Sequence, residues 1–150
     1  MSWYLLRFKA TSFNVVFNHL AASGVYYFCP MIETQYRRPD SIASFRKRLS
    51  PVFPGYLFVN LDFDHCHPQK LSAHRHIYGL ISFGQGPSPI DDAVIDLLMA
   101  KPHIVREIID APRAWKEMSE LEKIMYIRDD EQRIAAFLNY MQSRHSSVAA

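Results

Sequence analysis

The sequence predicts an α+β fold: a four-stranded, mainly antiparallel sheet flanked by helices, with a further pair of helices at the C-terminal end. Three observations predict it. Segments with the two-residue period of strands and the longer period of helices follow one another in the order β-α-β-β-α-β-α up to Pro102. Connections between strands after the first helix are short, which favours antiparallel neighbours over crossovers. From Ala114 onward apolar residues recur at three- and four-residue spacing, the mark of helices with one apolar face.

Trp3 to Lys9 reads as a buried strand. Ser12 to Ala22 carries Phe13, Val16, Phe17 and Leu20 at helical spacing, with a Ser or Thr cap before them and Gly24 as the stop. Val25 to Thr34 reads as a second strand around Tyr26, Tyr27 and Phe28. Arg37 to Leu49 is polar and basic and contains Pro39, so it reads as an exposed hairpin tip or mobile loop. Pro51 to Asp64 reads as a turn feeding a strand. Alternation points Tyr56, Phe58 and Asn60 to one face and Leu57, Val59 and Leu61 to the other. The second set is an ordinary core face. The first carries two large aromatics, too much apolar surface for bare solvent, so another part of the chain or a partner should cover it.

His67 to His76 reads as a short helix or irregular turn. Ile77 to Phe83 is a strand ended by a turn rich in glycine and proline. Ile90 to Met99 is a helix with Asp91 or Asp92 near its positive end, where acids are favoured. Beyond it, Trp115, Met118, Leu121 and Met125, then Ile134, Phe137, Leu138 and Met141, imply two amphipathic helices broken near Arg128-Asp-Asp-Glu131. The expected organisation is a domain over 1–102, a linker over 103–113, a helical hairpin over 114–145 and a disordered tail over 146–150.

A 49% apolar and 21% charged composition belongs to a folded globule rather than a disordered chain. The net charge is only +2, so any nucleic-acid contact must come from a local patch. Two cysteines make no disulfide framework, and no basic leader or long apolar run is present. A reduced, cytoplasmic, monomeric protein with no membrane association is expected.

Catalytic constellations are absent from the sequence. His65-Cys66-His67 at a strand end splays its side chains apart, and no CxxC or HxxxH pair accompanies it, so no metal site is expected. Cys29 lies in a strand among aromatics, where a thiol is inert. Asp62 and Asp64 share a strand face near its end, where they solvate it. No phosphate loop or nucleophile elbow occurs. The expectation is a noncatalytic protein without a cofactor. The basic residues Lys9, Arg37, Arg38, Arg46, Lys47, Arg48, Lys70 and Arg75 either touch phosphate or form a solvated surface.

Several spaced motifs occur together: Trp3-Tyr-Leu-Leu6, a helix ending in His19-Leu20, Phe28-Cys-Pro-Met31, Pro51-Val-Phe-Pro-Gly-Tyr-Leu-Phe-Val59, and Ile81-Ser-Phe-Gly84 before a proline-bearing turn. In this order they resemble the N-terminal domain of NusG-type transcription elongation factors, and within that family the RfaH-like antiterminators. The resemblance covers residues 2–102 and implies an α/β sandwich around a four-stranded antiparallel sheet. It implies binding to the clamp helices of the RNA polymerase β′ subunit through Tyr56, Phe58, Leu80 and Phe83. A second family contact, to the β gate loop, falls at His67-Pro-Gln-Lys70, where the His matches and the family's threonines do not. RfaH-like proteins also hold the exposed nontemplate DNA strand. By match, Lys9, His19, His74 and Arg75 would do so here, with Ser12, Val15 and His74 departing from the family's residue types.

The family's usual second domain, a KOW β-barrel, depends on glycine-rich turns. Residues 113–145 contain no glycine, so no KOW domain is recognisable there and its partners are not implied. By likeness to RfaH-like proteins, whose closed form carries a C-terminal helical hairpin, the helical pair is expected either to fold back over Tyr56, Phe58 and Phe83 or to pack elsewhere and complete the core. The alternative function is a stand-alone ferredoxin-like module that stacks single-stranded nucleic acid on the sheet aromatics.

Overall fold

The computed structural model describes residues 2–37, 45–64, 68–84, 86–100, 103–106 and 119–149. In chain order these form β1 (Ser2–Phe8), α1 (Phe13–Ala22), β2 (Tyr26–Phe28), β3 (Met31–Arg37), β4 (Phe45–Pro51), β5 (Tyr56–Leu61), α2 (Pro68–Ser72), β6 (Ile77–Leu80), α3 (Asp92–Ala100), β7 (His103–Arg106), α4 (Glu120–Met125) and α5 (Asp130–Ala149). The expected four-stranded antiparallel sheet is present, in the order β2-β5-β1-β6. β1 and β5 pair from Ser2 opposite Leu61 to Arg7 opposite Tyr56.

Alternation along these strands divides the core in two. Tyr4, Leu6 and Phe8 of β1 and Leu57, Val59 and Leu61 of β5 pack with Val16 and Leu20 of α1. On the other face, Trp3, Leu5 and Phe58 pack with Val94, Ile95 and Leu98 of α3 and with Leu121, Phe137 and Met141 of α4 and α5. The sheet is therefore sandwiched between α1 on one side and the later helices on the other.

The structure departs from the sequence reading in the middle of the chain. The single strand expected over Val25–Thr34 is two strands in different sheets. Pro30 has no backbone N–H to give to a ladder, and the chain leaves the central sheet there. β3 then pairs antiparallel with β4, from Met31 opposite Pro51 to Arg37 opposite Phe45. Both described ends of the basic stretch read as a tip or loop are thus ladder: Arg37 closes β3 and Phe45–Pro51 is strand, while residues 38–44 lie outside the described ones. Within the stretch expected as linker, His103–Arg106 forms β7, which runs parallel to β3 and completes a second sheet in the order β4-β3-β7. β6 ends at Leu80, short of Phe83, and Ile90 is a bridge to Trp3 rather than the start of α3. α5 continues to Ala149, through the residues expected to fray. Trp115 and Met118 lie outside the described residues.

Two glycines carry turns no other residue makes as well. Gly24, at φ 72°, ends α1 while Val25 N–H reaches back to the Leu20 carbonyl at 3.0 Å. Gly55, at φ 89°, turns β4 into β5, and its carbonyl accepts from Phe8 N–H at 2.8 Å. A Cβ at Gly55 would sit 3.2 Å from the Phe8 carbonyl oxygen, a backbone atom that cannot move aside. Gly55→Ala is therefore expected to cost about 1–3 kcal/mol, read as a lower thermal midpoint; an unchanged midpoint would contradict this account of the turn.

Candidate functional site: a capped aromatic face and an imidazole patch

β5 sets Phe58 opposite Leu5 of β1, and Phe28 of β2 stacks beside it with ring centroids 6.3 Å apart. The turn before β5 adds Phe53. α5 lays Phe137 across both, stacked on Phe53 at 4.0 Å and 17° and edge-on to Phe58 at 5.9 Å and 84°. Phe58 and Phe137 are each 0% exposed. Tyr56 and Phe83 are half-buried against the same cluster. Leu80 is not part of it and packs on the α1 side of the sheet. The sequence demanded a cover for the aromatic face; the C-terminal helices are that cover.

Local chemistry explains why the helices start where they do. Ser119 Oγ accepts from Glu122 N–H at 3.2 Å and caps α4. Asp129 Oδ2 accepts from Gln132 N–H at 2.9 Å at the start of α5, with Asp130 and Glu131 in its positive first turn. One turn on, Arg133 is 1% exposed. Its Nε donates to the Val52 carbonyl, its Nη1 to the Ile127 carbonyl at 2.6 Å, and its Nη2 to the Asp130 carboxylate. A buried guanidinium is tolerable only with its donors engaged, and here they tie α5 to the turn that carries Phe53.

A second tie lies one end of α5 away. Arg144 Nη2 donates to Asp91 Oδ2 at 2.7 Å. The Arg144 hydrogen bond, helped by the Ala93 N–H, holds the Asp91 carboxyl below the usual carboxylate range. This contribution is present above the ordinary carboxylate pKa of about 4 and is lost as pH falls through the lowered value. It is exposed and correspondingly weak. Beside it the seam is incompletely filled: a cavity of about 380 Å³ is lined by Phe83, Pro89, Ile90, Val94 and Met141.

The other side of the sheet carries a separate patch. β1 ends at Phe8, and the N–H of the next residue, Lys9, donates to the His76 carbonyl at 2.8 Å. This brings the turn after α2 beside the end of α1. The His19 and His74 rings lie 4.3 Å apart, and those of His74 and His76 5.5 Å apart. Lys9 and Arg75 are exposed. Burial, then the charges of His19, His76 and Arg75, push the His74 imidazole below its ordinary pKa. The structure thus brings Lys9, His19, His74 and Arg75 together. Lys70, on α2, is exposed. His67 lies outside the described residues, as do His65 and Cys66.

The remaining candidates resolve simply. Burial pushes the Cys29 thiol up to about 12, which keeps it protonated and unreactive. Asp62 Oδ1 accepts from Asp64 N–H at 3.0 Å, so this pair shapes the turn after β5. Among the described residues, no three His, Cys, Asp or Glu side chains converge on a metal position, and no helix is long and apolar enough to cross a membrane.

The family model described as transcription termination factor NusG matches residues 1–99. The chain belongs to the NusG family. It is thereby a transcription elongation and termination factor of a noncatalytic kind that works with RNA polymerase. The NusG match ends within α3, so α4 and α5, which close the aromatic face, lie beyond it. Sequence reasoning missed Phe53, Arg133 and the Asp91–Arg144 pair. Phe53 stood in a motif without a role; an arginine on a helix gives no sign that it is buried.

Proposed function

We propose that this NusG-family protein is an RfaH-like antitermination factor whose polymerase-binding face is closed by its own C-terminal helices. One observation carries this reading: Phe137 of α5 sits on Phe53 and Phe58, on the sheet face that family resemblance assigns to the β′ clamp helices. In the open form Tyr56, Phe58 and Phe83 form the floor of a groove that receives a helix, a recurring mode of recognition. Leu80 has no part in that groove. By family match, His67 and Lys70 contact the β gate loop. Contacts made only with the closed clamp shift polymerase toward that state and suppress pausing and termination. Lys9, His19, His74 and Arg75 hold the exposed nontemplate strand on the opposite face.

The stand-alone stacking module has less support, because Phe58 lies beneath Phe137 of α5 and Tyr56 packs against the same cluster. Tyr56 is the residue to test, since Phe58 is fully buried and its removal would damage the core itself. Tyr56→Ala is expected to weaken binding to RNA polymerase elongation complexes by about tenfold or more, as for a truncated hot spot, with the thermal midpoint little changed. Unaltered affinity in a folded variant would overturn the assignment of this face.

A further inference from the structure

The imidazole patch holds three histidines, an arginine and a lysine, and among the described residues no carboxylate acts on its central ring, His74. Its hydrogen bonds fix which ring nitrogens carry protons. His76 N–H donates to His74 Nδ1 at 3.2 Å, and Arg75 Nε donates to His76 Nε2 at 3.3 Å. A nitrogen that accepts carries no proton, so each of these hydrogen bonds is made only while its ring nitrogen is bare.

The surroundings are one-sided in sign. His74 is acted on by His19 from α1 and by His76 and Arg75 from its own turn. β1 joins the turn at Lys9, whose N–H donates to the His76 carbonyl. A proton added to the His74 ring meets cationic neighbours, so this imidazole resists charging while the patch is unliganded. An anion laid against it reverses the balance. It favours the charged form of each ring it touches, and a protonated His76 no longer accepts from Arg75, which becomes available to the anion.

We propose that this cluster grips a phosphate of the single strand and takes up about one proton in doing so, so that affinity rises as pH falls. The inference rests on the nucleic-acid reading given above and adds to it the group that is held and its control by protons.

The test uses the full chain and a fluorescently labelled single-stranded oligodeoxynucleotide of about 12 nucleotides at fixed ionic strength. Anisotropy should show affinity rising about tenfold from about pH 8 to about pH 6. Calorimetry in two buffers of different ionisation enthalpy should count about one proton taken up per complex. His74→Gln with His19→Gln should flatten the pH dependence. Lys9→Gln should lower affinity while leaving proton uptake unchanged, which separates the linkage from a simple loss of charge. Binding that is independent of pH, with no proton taken up, overturns the linkage and leaves the nucleic-acid face standing. No binding at any pH overturns both.

Discussion

Phe137→Ala is expected to tighten binding to RNA polymerase elongation complexes while destabilising the chain. Phe137 is fully buried and touches two aromatic rings of the sheet face, so its removal costs about 3–5 kcal/mol, as for other buried Phe→Ala changes. That loss falls on the contact between α5 and the sheet. If the closed form withholds the binding face, apparent affinity is reduced by the fraction of molecules that are open. Weakening closure by about 3 kcal/mol would then raise affinity by up to about 100-fold, until the open form dominates. Equilibrium binding of both forms to assembled elongation complexes, beside their thermal midpoints, measures both effects. A less stable variant with unchanged or weaker affinity would show that α5 only completes the core.

Arg133→Met is expected to act in the same direction by a different physical route. Methionine keeps much of the volume and leaves the apolar contacts largely in place. It removes the donors that satisfy the Val52 and Ile127 carbonyls. A buried acceptor left without a partner costs about 1–3 kcal/mol, whereas Asp130 is exposed and adds little. The predicted result is a loss of roughly 2–4 kcal/mol and a gain of about tenfold or more in polymerase affinity. Amide exchange should locate the damage in α5 and in the Val52 turn. A variant as stable as the parent would mean that the guanidinium is a passenger.

The sheet was legible because each of its strands obeys a local rule. Leu57, Val59 and Leu61 alternate with Tyr56, Phe58 and Asn60, and the alternation alone placed the two faces of β5. Gly24 marked the end of α1 for the same reason it ends it, a positive φ. The second sheet was hidden. β4 is a run of basic residues held by backbone pairing with β3, and hydrophobic periodicity does not register that kind of strand. β7 is four residues long and pairs with a strand some seventy positions earlier, a separation beyond any local signal.

The candidate site divides in the same way. Two complementary apolar faces were visible as periodicities, so a cover for Tyr56 and Phe58 was expected and α5 supplies it. The residues that fix the cover were not visible. Arg133 looks like any solvated helix arginine until Val52 and Ile127 turn their carbonyls to it. His19 and His74 are distant in sequence. They meet because β1 pairs with β6 and carries α1 beside the turn that follows α2. Family resemblance named both residues; only the fold shows their rings in contact with each other.

The central claim is that the polymerase-binding face and the α5-binding face are the same surface. Hydrogen–deuterium exchange on the intact chain, alone and bound to an elongation complex, tests it most directly. The account predicts that amides across residues 130–149 lose protection on binding, while β5 around Tyr56 and Phe58 stays protected. An α5 that keeps its full protection in the bound state would contradict it, because clamp helices and α5 cannot occupy one groove together.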